Sequence, residues 1–120
     1  MILVDTYIWI DHFRNGNAAL RDFLHNGEVI VHRFVIGELS CGLIKNRKEI
    51  ISLLAELPEA VVADHGEVLE LIELKKPFGA GIGWIDAHLI ASALLTKVNI
   101  ITLDKSLAKT ARSLGIGQTP

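Results

Sequence analysis

The sequence predicts an α/β fold with a central, mostly parallel sheet covered by helices on both faces. Short apolar runs, led by Ile2-Leu3-Val4, have the unbroken composition of strands buried on both sides. These runs alternate with segments of helical periodicity. Turn residues fall between them: Asn15-Gly16-Asn17, Pro58, and the glycine-rich stretch from Pro77 to Gly83.

Taken in order, Ile2 to Val4 reads as a buried strand, and Asp5-Thr6 offers an N-cap for a helix from Tyr7 to Phe13. Asn15-Gly16-Asn17 breaks that helix, and Ala18 to His25 forms a second. Glu28 to His32 is the second strand. Phe34 to Ile44 is expected to be helical, and Arg47 to Leu57 forms an amphipathic helix stopped by Pro58. Ala60 to Ala63 reads as a brief third strand. Gly66 to Lys75 is a helix with acids early and lysines late, the order the helix dipole favours. Trp84 to Thr96 is apolar almost all round, so it should be central. Val98 to Leu103 is the fourth strand and Lys105 to Leu114 the last helix. Gly115-Ile116-Gly117 is placed to begin a short edge strand.

At 120 residues, half of them hydrophobic and 22% charged, the chain suits one domain spanning residues 1–120, with a real core. A formal net charge of −2 supplies no basic field to gather nucleic acid, so any RNA contact must rest on local cations or metal ions. Cys41 is the only cysteine, which excludes an intrachain disulfide and suits a reducing compartment. The opening residues lack a basic lead, and no apolar run approaches the roughly 20 residues of a membrane span. A soluble, cytoplasmic protein with no membrane association is expected.

Of fourteen acidic residues, most have ordinary explanations. Asp22, Glu49, Glu56, Glu59, Glu67, Glu70 and Glu73 fall on polar helix faces or turns. Asp11 is expected to face His12 and Arg14, and Asp64 to cap the helix after it. Four others interrupt apolar stretches: Ile-Leu-Val-Asp5, Val-Ile-Gly-Glu38-Leu, Gly-Trp-Ile-Asp86-Ala and Ile-Thr-Leu-Asp104. A carboxylate in apolar surroundings costs several kcal/mol unless paired, protonated or metal-bound. No Lys or Arg lies within the runs carrying Asp5, Glu38 or Asp86, so pairing is a poor explanation. Asp5 and Asp104 also sit at the carboxyl ends of strands, where such sheets collect ligands. Convergence on a hard divalent cation, which prefers oxygen ligands, accounts for all four.

The residues carrying these acids resemble the PIN-domain ribonucleases, most closely the VapC-type toxins of bacterial toxin–antitoxin pairs. The matching pieces are Val4-Asp5-Thr6 with Trp9-Ile10-Asp11, Val35-Ile36-Gly37-Glu38-Leu39, Gly81 through Leu89 around Asp86, and Thr102-Leu103-Asp104. They follow the family's order and spacing across essentially the whole chain. The resemblance implies a three-layer α/β/α sandwich and an acidic pocket holding magnesium or manganese. It also implies endonucleolytic RNA cleavage, a homodimer, and a cognate VapB-type antitoxin that covers the site. Two positions depart from the pattern: Arg33 stands where proline is common, and Tyr7 where a smaller residue is common.

Asp5, Glu38, Asp86 and Asp104 are thus the candidate catalytic residues and metal ligands, with Asp5, Glu38 and Asp86 on the principal ion. Such an ion would polarise a phosphodiester and acidify a water for in-line attack; the resemblance implies 5′-phosphate and 3′-hydroxyl products. Crowded carboxylates should raise at least one of their own pKa values. Thr6 and Thr102 are candidate supporting hydroxyls, though both also suit helix caps. Lys105, Lys109 and Arg112 recur at helical spacing beyond Asp104 and are candidate RNA phosphate contacts; an ordinary solvated face is the plainer alternative.

Other features point elsewhere. Gly79-Ala80-Gly81-Ile82-Gly83 lacks the Lys-Ser/Thr of a nucleotide-binding loop. The five histidines form no zinc-like grouping, and His88 and Cys41 read as core residues. A phospho-accepting signalling domain would need adjacent acids after the first strand and would leave Glu38 and Asp86 unexplained. A non-catalytic PIN-like module that binds RNA or protein is the main alternative.

Overall fold

The computed structural model describes residues 1–75 and 81–120. Among them are four strands, β1 (Ile2–Val4), β2 (Val29–Ile30), β3 (Asn99–Ile101) and β4 (Gly117–Gln118). Seven helices accompany them: α1 (Thr6–Asn15), α2 (Ala18–His25), α3 (Arg33–Cys41), α4 (Arg47–Leu54), α5 (His65–Lys75), α6 (Trp84–Thr96) and α7 (Lys105–Ser113). The strands form one sheet in the order β2-β1-β3-β4, parallel throughout. An α/β sandwich results, as the alternation of strands and helices predicts.

The strand order positions the site. From β1 the chain crosses to β2 on one side; from β3 it crosses to β4 on the other. Right-handed crossovers place those connections on opposite faces of the sheet. The crevice beyond the carboxyl ends of β1 and β3 is therefore the topological switch point, the usual place for a ligand in an open parallel sheet. Asp5 follows β1 directly, and its N–H donates to the Ile101 carbonyl at 3.1 Å, so it stands beside the end of β3.

Local chemistry sets the helix ends. Asp5 caps α1, and Gly16 at φ +73° ends it, a conformation glycine adopts without strain. Asn17 Oδ1 accepts from Leu20 N–H at 2.9 Å to start α2. Asp64 and Glu67 form a reciprocal box, Glu67 N–H to Asp64 Oδ1 at 2.7 Å and Asp64 N–H to Glu67 Oε1 at 2.9 Å, so Asp64 is a cap as expected. In α6 every residue from Ala87 to Ala93 is buried, which makes it the central helix.

Several sequence expectations need correction. Ala60 to Ala63 is not a strand: an isolated bridge joins Val31 to Glu59 just before it, Ala60 N–H donates to the Val31 carbonyl at 2.7 Å, and the following donors turn to α6. Val61 N–H donates to Thr96 Oγ1 and Ala63 N–H to Ser92 Oγ, so side-chain hydroxyls replace a ladder. The helix expected to reach Ile44 ends at Cys41, where Gly42 adopts an extended conformation, and Cys41 is exposed rather than a core residue. The helix expected to reach Leu57 ends at Leu54. Asp11 accepts from the Asn15 and Asn17 side chains, with His12 a lesser electrostatic neighbour, as expected, and Arg14 not among its partners. Of the glycine-rich stretch, residues 77–80 lie outside the described residues. Among the described residues no helix is long and apolar enough to cross a membrane.

Candidate active site

Three of the four candidate acids sit in first turns or caps, where backbone N–H groups point at them. Asp5, 6% exposed, accepts from Thr6 N–H at 2.8 Å with Oδ1 and from the Thr102 hydroxyl at 2.7 Å with Oδ2. Asp104 caps α7, accepting from Leu107 N–H at 3.0 Å. Asp86, in the first turn of α6, accepts from Gly83 N–H at 3.2 Å. Glu38 lies within α3 and takes the Thr6 hydroxyl at 3.1 Å.

The two threonines tie this set together. Thr6 gives its N–H to Asp5 and its hydroxyl to Glu38. Thr102 gives its hydroxyl to Asp5 and accepts from Asp104 N–H at 3.0 Å. Both threonines are buried, and both act on carboxylates from elsewhere in the chain. The sequence marked these hydroxyls without indicating which acids they would hold.

The acids interact electrostatically. Burial pushes the Asp5 carboxyl up; hydrogen bonds from Thr102 and Thr6 offset part of this, and Asp104 repulsion adds to it. Glu38 is raised by desolvation first and by Asp5 and Asp86 after it. Asp86 is raised by desolvation and by Asp5 and Asp104, against the Gly83 hydrogen bond. The expectation of raised carboxyls therefore holds, but loss of hydration outranks mutual repulsion as its cause. Nor are all four buried: Glu38 is exposed, and Asp86 and Asp104 are half-buried.

The donor chemistry fits a hard divalent ion, since every candidate ligand is a carboxylate oxygen. Among the described residues the only ion pair is Arg33 to Glu59, so no basic side chain neutralises the acids there. Each carboxylate is instead turned toward a hydroxyl or backbone donor. Among the described residues no three His, Cys, Asp or Glu side chains stand close enough to hold an ion as placed. The set is gathered and electrostatically coupled but open.

Lys105, Lys109 and Arg112 are all exposed along α7, directly after Asp104. Gly81, at φ +95°, lies against Ser106 of the same helix, where a Cβ would meet the Ser106 Oγ at 2.5 Å. This fixes the approach to α6 against the first turn of α7. His88 is buried as expected, but among the described residues its Nδ1 has no hydrogen-bond partner. It packs by ring contact, edge-on to Phe34 at 4.7 Å and to Trp84 at 4.9 Å.

His32 was not marked by the sequence reading. It is fully buried, caps α3 by accepting Phe34 N–H at 3.0 Å, and contacts Ser92 at 2.9 Å. The signal was its place immediately before a helix, where an acceptor side chain serves as a cap. Burial, aided by His88, pushes its pKa down to about 4. The unfolded chain then takes up this proton first, so the stability tied to neutral His32 is complete above about pH 6.5 and lost as pH falls toward 4. The melting-temperature difference between wild type and His32→Asn should shrink over that window, as pH-dependent melts will read.

Electrostatically coupled acids from four separated segments, beside the switch point of an all-parallel α/β sheet, define a class of acid-bearing α/β domains. The PIN domain model matches residues 2–113, and the chain belongs to the PIN-domain family. It is similar to Ribonuclease VapC32 of Mycobacterium tuberculosis, from strain CDC 1551 / Oshkosh and from strain ATCC 25618 / H37Rv. Identity to each is 40% over 117 residues, covering 97% of this chain and 94% of the relative.

Proposed function

We propose that this chain is a magnesium-dependent endoribonuclease, the toxin of a toxin–antitoxin pair, with Asp5, Glu38, Asp86 and Asp104 as its metal-binding and catalytic acids. The observation that carries the reading is the coupling of these four side chains at the β1–β3 switch point, with no basic partner among the described residues. Family membership supports it, because VapC-type PIN nucleases generally depend on divalent metal, bind RNA and pair with VapB antitoxins. Manganese, with similar ligand preferences, is expected to substitute.

When bound, the ion neutralises phosphodiester charge and makes a water more acidic. The protein's own part is to hold the carboxylates ionised and aimed. Thr102 and Thr6 donate to Asp5 and Glu38 and so favour their charged forms against burial. Lys105, Lys109 and Arg112 extend from Asp104 as a track for the RNA backbone. Neutralising all three should weaken RNA binding and reduce the salt slope by about 2, read from filter binding across a salt series.

Exposed large apolar side chains lie within two residues of three of the acids in sequence: Tyr7 at 62% exposed, Trp84 at 39%, Ile85 at 38% and Leu103 at 50%. These exposed side chains support a VapB-type antitoxin that covers the site, since exposed apolar surface marks contact sites. A homodimer acting in the cytoplasm completes the proposal, with residues 1–120 as one domain.

Above their raised pKa values, Asp5, Glu38 and Asp86 are charged at a cost to the metal-free fold. A raised carboxyl stabilises below its ordinary pKa and loses that contribution as pH rises through the raised one. At neutral pH, magnesium should therefore raise the melting temperature. Asp86→Asn should melt higher than wild type without metal and respond less to it, as calorimetric scans will register.

Incubating purified protein, freed of any bound inhibitor, with total bacterial RNA tests the activity. Magnesium-dependent fragments bearing 5′-phosphate and 3′-hydroxyl ends are expected, with none in EDTA. Folded protein that binds RNA without cutting it would support the non-catalytic module instead.

A further inference from the structure

Glu38 and Asp86 belong to different helices, α3 and α6, and their relative placement depends on what fixes one helix against the other. At the start of α3 is a fully buried imidazole. His32 Nδ1 accepts Phe34 N–H at 3.0 Å, so the ring proton of the neutral side chain lies on Nε2. Nε2 then donates to Ser92 Oγ at 2.9 Å, and Ser92, 0% exposed, belongs to α6. The same Oγ accepts Ala63 N–H at 3.2 Å. One side-chain pair thus joins α3, α6 and the segment after α4. A second brace spans the same helices, Phe34 against His88 at 4.7 Å.

We propose that His32 is a positioning residue for the acidic site: through Ser92 it sets the register of the helix carrying Asp86 against the helix carrying Glu38. The inference rests on the reading that these two acids serve one divalent ion. Glu38 lies six residues beyond His32, and Asp86 six residues before Ser92. Along rigid helices that is about 9 Å, so a slip at the clamp is carried to the carboxylates. Displacements near 1 Å are enough to impair a site of this kind.

Two substitutions of His32 separate positioning from capping. His32→Asn keeps an acceptor for Phe34 N–H but cannot reach Ser92. His32→Gln can present an amide N–H to Ser92 while giving up the cap. Ser92→Ala removes the clamp and leaves the cap intact. Magnesium is titrated against each protein, and the readout is the concentration giving half the metal-induced rise in melting temperature. His32→Asn and Ser92→Ala should each raise that midpoint about tenfold, the range seen when support for metal ligands is removed. The double variant should do no more than either alone. His32→Gln should melt lower without metal yet keep a midpoint within about twofold of wild type, well inside the effect of losing the clamp.

Unchanged midpoints in both clamp variants, or an equal shift in His32→Gln, would overturn the inference while leaving the nuclease reading intact. A wild-type protein that does not respond to magnesium overturns the nuclease reading, and the inference with it. If His32→Asn does not fold, Ser92→Ala alone decides.

Discussion

Asp5→Asn is expected to reduce RNA cleavage by roughly 10³-fold while leaving the fold in place. Asp5 is the most enclosed of the four acids and stands at the junction of β1, α1 and the end of β3. An amide fills nearly the same volume and keeps one acceptor oxygen for Thr6 N–H. Its nitrogen can face Thr102, whose oxygen retains a lone pair after accepting Asp104 N–H. What the substitution removes is the negative charge. If charge at this position is what the reaction uses, circular dichroism stays close to wild type and the metal-free melting temperature does not fall as the cleavage rate falls. An equal fall in rate and in folded fraction would make Asp5 a structural cap and nothing more.

Thr102→Val should destabilise the protein by about 2 kcal/mol, because a buried hydroxyl that donates to a carboxylate and accepts a backbone N–H is replaced by a methyl group. The effect on the site is separate from this loss. Among the influences that hold the Asp5 carboxyl down, the Thr102 hydrogen bond is the largest. Without it burial acts with less opposition, and the Asp5 pKa rises further. The acid limb of the pH–rate profile should then move to higher pH, and the rate at neutral pH should fall about 10- to 100-fold, as when supports of metal ligands are removed. Denaturant titration gives the first quantity and the pH profile the second. An unshifted acid limb in a destabilised variant would mean that Thr102 only braces the strand end.

The acids of this candidate site were legible in the sequence, for a physical reason. A charged residue directly after an apolar strand has few inexpensive places to go, and Asp5 and Asp104 showed themselves that way. Glu38 and Asp86 interrupt apolar helical stretches and followed by the same reasoning, although Glu38 proves to be exposed. What the sequence could not reveal depends on side chains meeting across the fold. Ala60 to Ala63 has strand composition, yet its donors are captured by Thr96 and Ser92 of α6, a choice no local pattern records. Thr6 and Thr102 were recognisable as polar residues near strand ends, but not as the links joining Asp5 to Glu38 and to the Asp104 backbone. His32 passed unnoticed because a histidine bordering a helix looks like any cap until Ser92 is found against its far nitrogen. The same limit applies to the cause of the raised carboxyls. Crowding could be argued from four acids in one pocket, whereas burial, the larger influence, required the packed structure.

The most direct test of the account is the cleavage rate of one defined RNA as magnesium is titrated, measured for wild type and for Asp5→Asn in protein free of bound inhibitor. Gathered acids serving one divalent ion give a rate that rises with magnesium to saturation, vanishes in EDTA and is lost in the variant at every magnesium concentration. A rate indifferent to EDTA, or one that Asp5→Asn retains, would contradict it.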